Sequence, residues 1–183
     1  MRNEEILKAL ISNELNAKTL TIESDMVQVI DSKILELAED LKIAIKLTNA
    51  DGISAPQIGI HKRVIAFRNL SGDIEVLVNP EIVGHKGSQL EEEGCLSFPH
   101  ILGKVERYKY VKVKALNLKG EEIIVEAYDR IAAILSHEID HLDGVLFVDI
   151  VKGNIKDPYD LKRKIYDVSK NIAKREIEEG TER

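Results

Sequence analysis

The apolar side chains recur at helical spacing in four parts of the chain. A short pattern occupies residues 6–11, and a longer one follows Asp31, which can cap a helix. Residues 130–143 predict a third helix, and a fourth starts at Asp157 with proline at its first position. The third helix differs from the others because residues 131–135 are all apolar. A helix that is apolar on every side is usually buried.

Between the second and third helices the pattern becomes that of strands. Residues 63–67 and 74–78 are short and β-branched, and a Ser-Gly-Asp turn separates them. Pro80 and Gly84 then predict a break in the chain, and we expect a polar loop over residues 87–93.

A hairpin is predicted next, because residues 105–118 alternate in polarity and Lys-Gly turns them back into residues 122–127. This order of elements predicts an α+β fold. We expect mixed, mainly antiparallel sheets packed around the buried helix over residues 130–143, with N-terminal and C-terminal helices. With no repeat or Pro- and Gly-rich linker, residues 1–183 are expected to form one domain.

The amino-acid composition excludes several classes of protein. A single Cys cannot form an intrachain disulfide, and 44% apolar residues suffice for a globular core. No signal peptide is recognised and no apolar run reaches 18 residues, so we expect a cytoplasmic protein without membrane contact. A net charge of -6 argues against DNA as a partner.

The candidate chemistry begins with His137, Glu138 and His141 on the predicted buried helix. Four-residue spacing places both imidazoles on one helix face, where they can share a metal ion, and Glu138 can take a proton from a water molecule. Buried polar groups are costly unless they are paired or ligated. The alternative is a pair of structural histidines with hydrogen-bond partners.

A tetrahedral catalytic site needs a third protein ligand and one open position. Metallopeptidases with the His-Glu-x-x-His pattern usually supply this ligand downstream, but Phe147 stands where an extended pattern has His, and residues 160–166 contain no Glu. The candidate upstream is Cys95. A lone cysteine is otherwise a small buried apolar residue.

A third feature is the segment 52–59, in which small residues and two glycines allow the backbone to approach a ligand closely. Gln57 offers an amide donor within it. The alternative is an ordinary loop between a helix and a strand.

Together the three segments resemble the motifs of the peptide deformylase family. Segment 52–59 ends in a Gln and a Gly, residues 93–97 read Glu-Gly-Cys-Leu-Ser, and residues 137–141 read His-Glu-Ile-Asp-His. The resemblance covers about residues 30–150 and includes Arg107. It implies an enzyme that removes the N-formyl group from the initiator formyl-methionine of nascent polypeptides.

The resemblance also implies the roles of individual residues. Cys95, His137 and His141 would hold one divalent metal ion per chain, Fe²⁺ natively, although the ligands also accept Zn²⁺, Ni²⁺ or Co²⁺. Glu138 would be the general base and acid, and Gln57 with the backbone N–H of Leu96 would form the oxyanion hole. The residues implied to line the peptide site are Gly52, Ile53, Gly94, Arg107, Ala133 and Ile134.

Asp140 is not needed as a ligand, and we expect it to accept a hydrogen bond from an Arg side chain or a backbone N–H near the metal. Three residues depart from the family pattern: Ala50 replaces a Gly, Ser54 an Ala and Ser136 a Gln. These departures leave open a metal-binding module without catalysis. A metallopeptidase is the other alternative, although it lacks its downstream ligand.

The predicted C-terminal helix is basic, with eight Lys or Arg and three Asp over residues 152–175. This excess of positive charge is typical either of a helix face exposed to solvent or of a contact with ribosomal RNA, where nascent substrates emerge.

Overall fold

The computed structural model describes residues 3–6 and 20–153, with the side chains of residues 99 and 100 excepted. Residues 3–6 are helical. The further elements are α1 (Ser32–Thr48), β1 (Gly52–Ser54), a 3₁₀ helix (Ala55–Ile58), β2 (Val64–Arg68), β3 (Ile74–Cys95), β4 (Phe98–Leu116), β5 (Glu122–Tyr128), α2 (Asp129–Leu142) and α3 (Phe147–Ile150). The predicted fourth helix and most of the first lie outside the described residues.

The strands form one five-stranded sheet in the order β1-β2-β3-β4-β5, which agrees with the predicted α+β class. Every neighbouring pair in it is antiparallel, so the expectation of mixed sheets does not hold for the described strands. The parallel pairing in this part of the chain is an isolated bridge between Asp25 and Lys62.

The predicted break and loop between residues 80 and 93 were wrong, because β3 runs through them to Cys95. Register shifts between Val78 and Glu81, and between Ile82 and Gly84, accommodate the proline and the glycine within the strand. The polar residues beyond them pair with β4 through the backbone, as Gln89 does with Arg107. The result is a long β3–β4 hairpin that carries Cys95 at its end.

The first described long helix, α1, starts where the sequence predicts. Asp31 Oδ1 accepts hydrogen bonds from the backbone N–H groups of Lys33 and Ile34, both at 3.0 Å. The helix ends at Asn49, which has a left-handed φ of 54°. Its apolar face packs in a core cluster with residues of β1 and β2.

The second long helix, α2, packs against the sheet, where Leu135 and Leu142 share a core cluster with Val111 and Val113 of β4. The buried residues of α2 are Ala132, Ala133, Ile134, Leu135, Ser136, His137, Glu138, Ile139, His141 and Leu142. Polar groups thus lie on a helix that has little contact with water, as expected from residues 131–135. None of the described helices combines the length and apolar character that crossing a membrane requires.

Candidate metal centre and its cavity

The end of β3 and one face of α2 bring three metal-ligating side chains together. The candidate ligand atoms of Cys95, His137 and His141 all lie within 4.8 Å of one another. Cys95 Sγ is 3.3 Å from His141 Nε2. Both imidazoles are buried and the cysteine is half-buried. The two histidines, whose shared helix face was predicted from their spacing, therefore lie beside a thiol from a different part of the chain.

This donor set suits a divalent metal ion. One thiolate and two imidazoles match three-ligand catalytic sites that keep a fourth position open. Burial holds the pKa of His141 well below its ordinary value, which favours the neutral imidazole that binds a metal. Glu138 Oε2 is buried without a hydrogen-bond partner among the described residues. An unpaired buried carboxylate oxygen beside the cluster fits a site that accepts an ion and a water molecule.

Glu93 orients the first histidine. Its Oε2 lies 2.8 Å from His137 Nδ1, so His137 Nε2 is left to face Cys95 and His141. Burial raises the pKa of Glu93, but hydrogen bonds and charges from His137 and Arg107 outweigh it and lower this pKa to about 2. Glu93 is therefore an anion at neutral pH.

Arg107 connects Glu93 to α2. Its Nε and Nη2 donate to the two oxygens of Glu93 at 2.6 and 3.0 Å, and its Nη1 donates to Asp140 Oδ2 at 2.5 Å. Asp140 was expected to accept from an Arg side chain or a backbone N–H, and the structure shows the Arg. Removing Arg107 would leave the buried carboxylate of Glu93 without its guanidinium partner, and the three side chains together join the hairpin to the helix.

Glu138 lies next to the cluster and is only 4% exposed. Burial raises the pKa of Glu138 to about 7, with the charge of His137 opposing the rise and that of Glu93 adding to it. A carboxyl group with a pKa near neutrality can both accept and donate a proton. The environment of Glu138 is therefore suited to general acid–base chemistry.

The 3₁₀ helix positions Gln57. Its Oε1 accepts hydrogen bonds from Ser54 N at 2.8 Å and from Ser54 Oγ at 3.0 Å. With the oxygen held by two donors, the amide nitrogen faces the cluster, and Gln57 Nε2 lies 3.4 Å from Cys95 Sγ. Segment 52–59 is thus more than a connecting loop, because it holds an amide donor beside the candidate metal centre.

A cavity of about 350 Å³ opens at the cluster. Its lining contains Ala50, Asp51, Gly52, Gln57, Glu93, Gly94, Cys95, Leu96, Arg130, Ala133, Ile134, His137 and Glu138. Three of the sequence-predicted residues lie outside this lining: the ligand candidate His141, the core residue Ile53 and the buried, ion-paired Arg107.

Four of the lining residues were not among the predicted site residues: Ala50, Asp51, Glu93 and Arg130. Glu93 stands two residues before Cys95, and an acidic residue so close to a candidate ligand is a usable signal. Asp51 and Arg130 meet across 79 residues of sequence, and no local pattern marks that pair.

The model of the polypeptide deformylase family matches residues 12–156. Peptide deformylase 1 of Clostridium acetobutylicum is 48% identical over 126 residues, which cover 69% of this chain and 83% of that protein. This chain belongs to the polypeptide deformylase family. The deformylases are hydrolases that remove the formyl group from nascent peptides, a step of N-terminal processing in protein biosynthesis.

Solved deformylase structures share the fold. The enzyme from Thermotoga maritima superposes with a TM-score of 0.71 at 32% identity and covers 74% of this chain and 92% of its own. A Met-Ala-Ser-bound class I type b deformylase from Acinetobacter baumannii has a TM-score of 0.68 at 36% identity, with 73% and 92% covered.

The three departures from the deformylase pattern fit the structure. Ala50 lies outside the positive-φ residues, so its Cβ causes no backbone strain there. Ser54 donates to Gln57, and Ser136 Oγ donates to Ala132 O at 2.7 Å. Each departure is thus compatible with the surrounding deformylase fold.

Proposed function

We propose that this deformylase hydrolyses the N-formyl group of initiator formyl-methionine and releases formate, with Cys95, His137 and His141 holding the metal ion. When bound, a divalent ion supplies Lewis acidity and makes water nucleophilic near pH 7. Fe²⁺ is the proposed native ion, and the ligands also accept Zn²⁺, Ni²⁺ or Co²⁺. The observation that carries this proposal is the cluster of a half-buried thiol and two buried imidazoles next to Glu138.

Glu138 is the proposed general base and acid. It takes a proton from the water that attacks the formyl carbon and passes a proton to the amine nitrogen that leaves. Its burial and raised pKa support this role, since the carboxyl group must hold a proton transiently at neutral pH.

Gln57 Nε2 and the backbone N–H of Leu96 are the proposed donors to the formyl oxygen as it gains negative charge. Each such donor typically contributes about 3 kcal/mol to the transition state. The two hydrogen bonds from Ser54 to Gln57 Oε1 support this assignment, because they fix the amide with its N–H₂ group directed to Cys95 Sγ, at the candidate metal centre.

The methionine and its peptide occupy the cavity in this proposal. Gly52, Gly94, Ala133 and Ile134 line it, and an apolar wall suits a methionine side chain. Ile53 and Arg107 are proposed to shape the site indirectly, Ile53 by anchoring β1 in the core and Arg107 by fixing Glu93. The Met-Ala-Ser bound by the Acinetobacter baumannii enzyme supports a peptide ligand of this kind.

Two further parts of the proposal concern the whole chain. Residues 1–183 are taken as one metallohydrolase domain that acts on nascent chains in the cytoplasm. The basic segment 152–175, most of which lies outside the described residues, is the proposed ribosome contact. Neutralising Lys162, Arg163, Lys164 and Lys170 should release the protein from ribosomes in co-sedimentation, and unchanged co-sedimentation would reject this contact.

The activity is tested by formate release from formyl-Met-Ala under anaerobic conditions with Fe²⁺ or Ni²⁺. Glu138→Gln should lower kcat by at least about a hundredfold while metal content is kept, because general acid–base catalysis contributes that much. Glu126→Gln on the exposed face of β5 is the matched control.

The alternatives have distinct outcomes in the same assay. Full metal occupancy without formate release would identify an inert metal-binding module. Cleavage of unformylated peptides would identify a metallopeptidase.

A further inference from the structure

Arg130 stands at the mouth of the cavity, and no role for it follows from the proposed chemistry. It is the second residue of α2 and its side chain is 56% exposed. Its Nη2 donates to Asp51 Oδ2 at 2.9 Å, and its Nη1 lies 3.6 Å from Glu91 Oε2. Carboxylates from two other elements, the α1–β1 loop and β3, therefore hold the guanidinium at the opening.

The position of Arg130 is unfavourable for the helix itself. A cation in the first turn faces the positive end of the helix dipole, and such an arrangement typically costs about 0.3–1 kcal/mol. An exposed ion pair with Asp51 contributes about the same amount at most. Helix stability therefore does not account for an arginine here, and a residue that contradicts its local preference often serves a site.

Arg130 presents unused donors to the cavity. A guanidinium has five N–H groups. Within the described structure, one of them has an acceptor at hydrogen-bond distance, because 3.6 Å to Glu91 is an ion pair without a hydrogen bond. Arg130 lines the same cavity as Gln57 and Cys95, so a peptide whose formyl group lies at Gln57 and Cys95 can reach the guanidinium.

We propose, given the deformylase activity proposed above, that Arg130 binds main-chain carbonyl groups of the substrate beyond its first residue. Asp51 and Glu91 set two negative charges against the single positive charge of the guanidinium, so Arg130 acts as a hydrogen-bond donor and not as a free cation. Main-chain carbonyls are common to all nascent chains, and such a donor binds them whatever the side chains are. Arg130 is thus a substrate-binding residue that favours longer peptides.

The test compares substrates of different length. We expect kcat/KM of the wild-type metal-loaded enzyme to rise from formyl-Met amide to formyl-Met-Ala-Ser amide. In Arg130→Leu this rise should shrink by about two- to tenfold through KM, the range that corresponds to one lost hydrogen bond. Arg130→Lys, which keeps a charge and donors, should recover part of it.

A binding measurement makes the test independent of turnover. The unformylated peptide Met-Ala-Ser amide should bind Arg130→Leu two- to tenfold more weakly than wild type in calorimetry, whereas methionine amide should bind both equally. Lys112→Leu is the control, since Lys112 is also an exposed cation with a carboxylate partner, Glu126, and lies outside the cavity. It should behave as wild type.

The outcomes separate this inference from the activity on which it rests. Formate release with the same length dependence in wild type and Arg130→Leu would overturn the role of Arg130 and leave the deformylase activity intact. An equal loss on formyl-Met amide and on the longer peptide would also overturn it, because Arg130 would then act on the first residue. Absence of formate from every substrate would overturn both.

Discussion

A Cβ atom on residue 52 would lie 2.6 Å from Oε1 of Glu138, so these two residues can be neighbours only because residue 52 is glycine. The same atom would lie 2.8 Å from Cγ2 of Ile134, so the helix side of the cavity leaves it no space. Gly52 is thus the position at which β1 and the proposed general base come into direct contact.

Gly52→Ala should therefore displace Glu138 without removing a metal ligand. A displacement of about 1 Å lowers kcat by about a hundredfold, whereas metal content should stay that of wild type. Formate release and elemental analysis measure the two effects. Gly84→Ala is the control, because its Cβ would be 3.5 Å from Lys112 Cβ, an ordinary contact. Wild-type kcat in Gly52→Ala would contradict the close approach.

Glu93→Gln should weaken metal binding. The amide lacks the charge that orients His137 and pairs with Arg107, and loss of such a partner typically lowers metal affinity 10–100-fold. Competition with a chromogenic chelator measures the affinity for Zn²⁺. Glu81→Gln, an exposed acid whose partner Lys114 is 4.0 Å away, should leave it unchanged. Equal affinities in wild type and Glu93→Gln would show that Glu93 does not act on the ligand.

Glu93 also predicts how stability depends on pH. Burial raises the pKa of Glu93, but His137 and Arg107 lower it to about 2, below the ordinary 4.5. A lowered pKa means that this carboxylate stabilises the folded state above pH 4.5 and that the contribution is lost as the pH falls toward 2. The shift corresponds to about 3 kcal/mol.

Urea unfolding with a chelator present, so that metal release does not contribute, measures this dependence. The difference in free energy of unfolding between wild type and Glu93→Gln should have its maximum value near pH 6 and should shrink steadily below pH 4.5. A difference that stays constant down to pH 2.5 would contradict the ion pair.

Some features of the site could be predicted from residues close together in the sequence, and others could not. The four-residue spacing of His137 and His141 predicts a shared helix face, and the structure places them so. Cys95 is 46 residues from His141, so no local spacing joins it to the histidines; it was a candidate because a third ligand was missing downstream, and the family resemblance implied its role. An Arg or backbone N–H partner for Asp140 could be predicted, because Asp140 stands next to the candidate ligand His141. The structure identified this partner as Arg107, which is 33 residues away in the sequence.

The fold likewise contains elements that the local sequence predicts and elements that it does not. Asp31 and the spacing after it predict α1 because a cap and an apolar face are local properties. The course of β3 was not predictable, since Pro80 and Gly84 ordinarily end a strand. Register shifts against β4 keep them within it, and such shifts depend on pairing with a strand that lies later in the chain.

Gln57→Leu should remove the proposed oxyanion donor and keep the side-chain packing around it. Leucine is similar in size but has no N–H₂ group, so kcat should fall about 10²–10³-fold, while metal content and KM change little. Ser54→Ala is the matched variant, because it removes one of two donors to Gln57 Oε1 and leaves the backbone N–H at 2.8 Å to hold the amide. Its kcat should fall by less than about tenfold, the effect of one net hydrogen bond. A larger loss in Ser54→Ala than in Gln57→Leu would place the donor on the serine hydroxyl and remove Gln57 from the proposed oxyanion hole.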